Sequence, residues 1–402
     1  MYIKKGIIQK EMDYNKYNYT KKKKSYGGKN MNNVIIVGAG LSGLRAASLL
    51  TEQGIKCKII EARDRIGGRV LSSSDPNRPA LGRFDLGPTW FWPQNEHHIA
   101  NLVKDLKLET FEQYKDGEIL IERFQIKPPE RCVLKENSDE KWIRLTGGVQ
   151  SLIDAIAETI PSEIVELKTR VKKIQTNGAG DIRVEAENSD GERKIFFADA
   201  VILALPPRLI ANHIEFSPSL PPNLIIDIEN KPTWMAGQAK VVAVYERPFW
   251  RESGLSGYAL SVVGPLEEIY DASPIEGPGA LFGFFGMPSE IRKKLGQDKI
   301  LKLVVDQLTK LYGSKAKNVK AMFYKDWSSD PETALDTDSS PFKNYDSYGQ
   351  PPVEGLIEDK IIFAGTETNS QFSGHLEGAL QSAEQAVLKI IELNNKTLRN
   401  DE

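Results

Sequence analysis

Three glycines and one glutamate carry the first chemical signal of this 402-residue chain: Gly38-x-Gly40-x-x-Gly43, with Glu61 about 20 positions on. Gly38 permits a tight turn, Gly40 lets the backbone approach a pyrophosphate, and Gly43 lets a helix pack close to a strand. Ser42 falls at the start of that helix, where free N–H groups and the positive dipole end meet phosphate. The Glu61 carboxylate would accept hydrogen bonds from a ribose. The ligand implied is an ADP-containing dinucleotide. Ala62-Arg63-Asp64-Arg65-Ile66-Gly67-Gly68-Arg69 follows at once. Nicotinamide enzymes have no need of this extension, whereas flavoproteins use it. Gly67 and Gly68 let the chain pass close to the cofactor, and Arg69 offers phosphate a fixed planar fork of donors.

The elements that must hold these residues are legible around them. Val34–Val37 reads as a buried strand, Leu44–Gln53 as a helix and Cys57–Glu61 as a second strand, so residues 33–92 form a βαβ unit, the Gly-Gly-Arg turn and a further strand. Helical stretches are expected at His98–Leu106 and Val149–Thr159. Strands are expected within Ile164–Val184 and Glu192–Leu205, with turns at Asn177-Gly and Asp190-Gly. Pro206-Pro207 and Pro221-Pro222 mark the exit into a second excursion, which carries strands at Ala239–Val244 and Ala280–Phe285 and a long helix at Gln297–Leu311. From Lys360 the chain reads strand, glycine turn and helix (Leu376–Leu393).

Composition narrows the classes. The net charge of −2 gives no global electrostatic case for nucleic acid or a membrane surface. The two cysteines, Cys57 and Cys132, have no metal-site spacing and argue against a disulfide framework. No metal is expected, and no apolar run is long enough to span a bilayer; the reading is a cytoplasmic protein. Residues 1–30, rich in Lys, Asn and Tyr, read as a disordered basic extension, with Met31 as an alternative start.

Beyond residue 62 the chain resembles the flavin-containing amine oxidases, the family of monoamine, polyamine and L-amino-acid oxidases. Phe84-Asp-Leu-Gly-Pro88, Thr146-Gly-Gly-Val-Gln-Ser-Leu152, Val201-Ile-Leu-Ala-Leu-Pro-Pro207 and Lys240–Trp250 are similar to the family's segments in the family's order. So are Ile362-Phe-Ala-Gly-Thr-Glu-Thr368 and Ser373-Gly-His-Leu-Glu-Gly-Ala379, and the resemblance covers most of residues 33–392. It implies an α/β fold: a Rossmann-like FAD-binding domain of the GR2 type interleaved with an α+β substrate-binding domain. The FAD domain would comprise 31–92, 144–207 and 326–396, and the substrate domain 93–143 and 208–325. The 93–145 region is shorter than in monoamine oxidases, which implies a shallower or more open substrate cavity. The polar stretch from Asn394 lacks the apolar tail of membrane-anchored family members.

The resemblance also assigns roles. Lys240 matches the lysine that holds a water at the flavin N5, although a strand-edge lysine reaching solvent is the plainer alternative. Trp327 matches a tryptophan beside the flavin ring, or is an ordinary core aromatic. His375 replaces one of the two tyrosines flanking the amine; it either lines the pocket or simply starts a helix. The second tyrosine has no counterpart in the Ser-Ser-Asp-Pro-Glu-Thr-Ala-Leu-Asp run after Trp327. Trp90 and Trp92 would line the substrate pocket, and Trp90 stands where L-amino-acid oxidases tend to place a carboxylate-binding arginine. Gly87, Val171, Gly365, Thr366, Glu367 and Leu376 would contact FAD, Thr366 and Glu367 near the ribityl and phosphates, Val171 at adenine, and Leu376 through its backbone N–H at the pyrimidine end. Both cysteines precede residue 133, so FAD would be bound non-covalently. The expected reaction is oxidation of a small-molecule amine to an imine by hydride transfer to N5, with O2 reoxidising the flavin to give H2O2, in a chain compatible with a homodimer. A desaturase of the protoporphyrinogen or carotenoid type and a non-catalytic flavin-binding scaffold are the competing readings.

Overall fold

The apolar runs that flank the glycine loop assemble into a five-stranded parallel sheet, in the order Ile361–Phe363, Ala200–Leu203, Asn33–Val37, Lys56–Ile60, Val165–Glu166. The computed structural model describes residues 33–133, 140–176, 181–338, 347–353 and 360–400. Parallel strands covered on both faces need no polar alternation, and here successive side chains feed two different cores. Val34 and Ile36 join the helices Leu41–Glu52, Gln150–Glu158 and Leu376–Asn400. Ile35 and Val37 face Val171, Ile182 and Val184 of a four-stranded sheet, in the order Arg193–Ala198, Ile182–Asn188, Thr169–Thr176, Glu215–Ser217.

A seven-stranded sheet builds the other half of the molecule: Ala321–Asp326, Ala239–Tyr245, Gly279–Phe285, Leu266–Asp271, Leu255–Ser261, Glu118–Glu122, Glu130–Cys132. The helix Gln297–Tyr312 packs on one face through Ile300, Val304, Leu308 and Leu311, against Val241, Ala243 and Tyr245. The even-numbered residues Val242 and Val244 face the opposite way, toward Phe84, Leu86 and Phe282. Lys240 shares their parity, so the pleat aims it at the loop that follows the Gly-Gly-Arg turn.

The first helix begins at Leu41, three residues earlier than read from the sequence, because Gly40, extended at φ −72° and ψ 178°, is its N-cap. Asp190-Gly is a turn as expected: Asn188 Oδ1 accepts the N–H groups of Asp190 and Glu192, and Gly191 supplies φ +80°. Asn177-Gly and residues 1–30 lie outside the described residues. Three short helices, Pro207–His213, Pro222–Glu229 and Ser289–Leu295, went unread in the second excursion; about two turns give the helical period too few repeats to register.

Candidate active site

A cavity of about 420 Å³ opens where the parallel strands end, between their carboxyl-terminal loops and the seven-stranded sheet. Open parallel sheets place ligands at that edge. Every site residue expected from the sequence lines it except Gly43. Gly43 serves the packing of helix on strand instead, since a Cβ there would stand 2.0 Å from the Gly38 carbonyl oxygen.

The phosphate loop is shaped by contacts that exclude side chains. Gly38 sits at φ +104°, and a Cβ on it would meet the Ala204 oxygen at 2.6 Å. Gly67 donates to the Ala39 carbonyl at 2.8 Å, and a Cβ on Gly68 would lie 3.1 Å from the Gly40 Cα. At Gly40 itself a Cβ would meet nothing within 4 Å; the space belongs to the cavity. No side chain caps the helix that starts at Leu41, and its first turn holds no acidic residue, so its leading N–H groups are available to an anion. Glu61 is buried, with Oε2 accepting from Ala39 N at 2.7 Å and Oε1 from Arg63 N at 2.8 Å. A carboxylate has about four lone-pair positions, so two backbone bonds fix its orientation and leave acceptors for ribose hydroxyls. These features fit an ADP-containing dinucleotide. Ser42 also ties the loop to the last helix: its hydroxyl lies 3.2 Å from that of Ser382, which also accepts from Gly365 N.

The two residues expected at the phosphates, Arg69 and Glu367, are joined to each other. Arg69 donates to both Glu367 oxygens, at 2.6 and 2.9 Å, and to the Trp234 carbonyl at 3.0 Å; Glu367, fully buried, also accepts from Trp234 N. The guanidinium fork is thus closed by a carboxylate, which corrects the expectation of a free phosphate donor there. Burial of Glu367 requires this: an unpaired buried carboxylate would be strongly disfavoured.

Lys240 is buried, and its Nζ donates to the Gly87 carbonyl at 2.8 Å and to Thr89 Oγ1 at 2.5 Å. It lies 4.1 Å from the Phe282 ring centre. Burial drives its pKa down to about 7, against a partial opposing pull from the Asp85 carboxylate. Asp85 is held by Ser72 Oγ and Val149 N and is itself pushed up by burial. The strand-edge alternative for this lysine is excluded by its burial. Trp327, 5% exposed, donates from Nε1 to the Leu86 carbonyl at 3.0 Å while presenting a face to the cavity.

His375 lines the cavity immediately ahead of the last helix. Its ring is flanked by Trp92 at 5.6 Å and Trp234 at 6.3 Å between centres. Trp234, in a turn before the Lys240 strand, is an aromatic neighbour of His375 that the sequence after Trp327 did not point to. Glu96 was also missed: Oε1 lies 2.5 Å from His375 Nδ1, and Oε2 accepts from Trp92 N at 2.8 Å. No local motif links residues 279 positions apart; only an acidic residue just before a helix hinted at it. Trp90 packs on Trp92, Trp142, Tyr270 and Phe282 and donates to Gln113 Oε1.

A family model described as flavin containing amine oxidoreductase matches residues 125–391, and one described as an NAD(P)-binding Rossmann-like domain matches residues 36–106. The chain belongs to the flavin-containing amine oxidoreductase family. This oxidoreductase is 25% identical to a putrescine oxidase of Kocuria rosea, over 90% of this chain and 96% of that one. It is 25% identical to amine oxidase [flavin-containing] B of Sus scrofa, over 90% and 86%. Solved structures share its fold: putrescine oxidase bound to putrescine (TM-score 0.72, 21% identity, 90% of this chain and 99% of that one) and cyclohexylamine oxidase of Brevibacterium oxydans (TM-score 0.73, 21%, 90% and 98%). The oxidoreductase is an FAD-dependent enzyme acting on amines, with the α/β architecture and cofactor that its sequence implied. Among the described residues no helix is long and apolar enough to cross a membrane.

Proposed function

We propose that the enzyme oxidises a small apolar amine, free of a carboxylate, to the imine, and that O2 is its electron acceptor. When bound, FAD supplies two-electron chemistry, taking hydride at N5 from the carbon beside the amine nitrogen and yielding H2O2 with O2. The protein's part is binding and orientation. Gly38, Gly40, Ser42, Glu61, Ala62, Arg63, Gly68, Gly87, Val171, Gly365, Thr366 and the Leu376 backbone would hold the cofactor, and the Arg69–Glu367 pair would brace its cradle. Lys240 would hold a water against the reacting face, and Trp327 would set the ring. Trp90, Trp92, Trp234 and His375 would wall the amine, excluding bulk water.

The observation that carries the substrate class is that each arginine of the cavity wall is already matched to an acid, leaving none for a carboxylate. Those arginines are Arg63, Arg69 and Arg170. Arg63 pairs with Asp330, Arg69 with Glu367 and Arg170 with Glu332. Trp90 cannot make a charge-assisted pair, and its indole N–H is already used by Gln113. The half-buried free thiols Cys57 and Cys132 fit the cytoplasm. The homodimer is tested by light scattering.

An anaerobic screen of the purified yellow protein against aliphatic, aryl and polyamines, with L-amino acids alongside, tests this reading through flavin absorbance. Amines are expected to bleach the flavin, and air to restore it with release of peroxide, while amino acids leave it unchanged. Failure of every amine, with dithionite still reducing the flavin, would overturn the proposal.

A further inference from the structure

We infer that His375 is the group that deprotonates the substrate ammonium and that Glu96 positions it for this by holding its ring proton on Nδ1. The inference rests on the amine reading of the cavity and goes beyond it. An alkylammonium, like the lysine side chain, titrates near about 10.4, so an amine reaches the site near neutral pH with its nitrogen lone pair occupied by a proton. Oxidation to an imine draws on that lone pair, and something must remove the proton.

The geometry around His375 selects it. Glu96, 3% exposed, has both oxygens committed, Oε2 to the Trp92 N–H and Oε1 to His375 Nδ1 at 2.5 Å. A carboxylate only accepts, so the proton between them belongs to Nδ1 and the neutral imidazole keeps its lone pair on Nε2. Among the described residues Nε2 has no partner, and the ring lines the cavity between Trp92 and Trp234. The flanking rings are uncharged and fix the plane of the imidazole. Other charged groups nearby are the mutually paired Arg69 and Glu367, bonded to the Trp234 backbone, Lys240 in the same cavity, and buried Glu377, whose oxygens accept from the backbone of His98 and Ile99. The ammonium N–H bond breaks, its electron pair stays on the substrate nitrogen, and the proton bonds to Nε2. The imidazolium so formed stays hydrogen-bonded to the Glu96 carboxylate through Nδ1–H. Nothing is oxidised in this step. Lys240 Nζ is held on Gly87 and Thr89, where the proposed function gives it the water at the reacting face.

The chain has four histidines, so long-range 15N spectra of the histidine-labelled holoenzyme resolve the tautomer directly. The expected spectrum shows His375 protonated at Nδ1 and bare at Nε2. Glu96→Gln, whose amide has one acceptor for two donors, is expected to keep FAD but lose that state. A wild-type His375 protonated at Nε2 would overturn the inference. Stopped-flow flavin reduction at sub-saturating amine gives the second readout. In His375→Phe the rate should climb about tenfold per pH unit between about pH 7 and 9, following the neutral amine fraction set by a pKa near about 10.4; wild type should climb far less. Equal slopes in two reducible, FAD-loaded proteins would sink the inference and leave the amine reading standing. A wild type that no amine reduces would instead sink the amine reading.

Discussion

Lys240 shows how one side chain can be a cost to the fold and, in the proposed function, a tool of the site. Its folded pKa, about 7, lies below the ordinary lysine value of 10.5. Between those values the unfolded chain therefore binds more protons, and stability rises with pH across that window. Below about pH 7 the charged form stays buried at its full desolvation cost, and replacing it removes that penalty. Lys240→Met is thus expected to raise the melting temperature of the apoprotein relative to wild type at pH 6, with the advantage shrinking toward pH 10. At about 1.4 kcal/mol per pH unit, the change across the window is at most about 5 kcal/mol. Paired thermal melts at several pH values check this, and a pH-independent difference would show that Lys240 does not titrate in the window. In the holoenzyme the same substitution should keep FAD bound and slow flavin reduction or reoxidation by amine. Lys240 was visible in the sequence because a charge inside an apolar run demands an explanation. Glu96 was not, because its partner His375 lies 279 residues away and an acidic residue ahead of a helix is an ordinary sight.

At the scale of elements, the glycine loop separates positions that serve the fold from those that serve the ligand. Gly40 has extended backbone open to any residue and an empty space where a Cβ would go, whereas Gly43 has the Gly38 carbonyl oxygen 2.0 Å from that point. Gly40→Val should leave the apoprotein's melting temperature close to wild type while abolishing FAD retention. Gly43→Ala should destabilise the apoprotein itself, by roughly 1–3 kcal/mol as overpacking typically costs. Far-UV melts and flavin stoichiometry measure the two separately; a yellow, fully loaded Gly40→Val protein would remove Gly40 from the phosphate site. The sequence carried this loop well, since strand, glycines and helix are contiguous and each signal reinforces the next. It carried the aromatic wall less well. Trp234 sits in a turn rather than on a periodic strand, and only the fold of the chain from Lys231 to Gly237 brings it beside His375. Arg69 and Glu367 were assigned to the right cavity but to separate duties, because a sequence shows two charges and not the bidentate pair that neutralises them.

The whole molecule is organised by the space between two sheets that the chain visits more than once. The strand Ile361–Phe363, near the C-terminal end, lies at the edge of a parallel sheet whose centre is Asn33–Val37. The strands Glu118–Glu122 and Glu130–Cys132 cross over to join the sheet built from residues 239–326. The 420 Å³ cavity is lined from both halves, by Gly38, Glu61 and Thr366 on one side and Lys240, Phe284 and Trp327 on the other. A ligand filling it binds only the folded arrangement, so it should stabilise by mass action, about 2.7 kcal/mol when free FAD stands at 100 times its dissociation constant. The apoprotein's melting temperature should therefore rise steadily with added FAD and show no such rise with NAD, which lacks the isoalloxazine that the Lys240 half would receive. Neither Cys57 nor Cys132 reaches the cavity wall, which leaves no thiol there to tether the flavin. Acid precipitation of the holoenzyme should accordingly give a white pellet and a yellow supernatant. A pellet that stays yellow through washing would mean that another cavity residue bonds the flavin, and that the two halves are stitched by a covalent bridge rather than by binding alone.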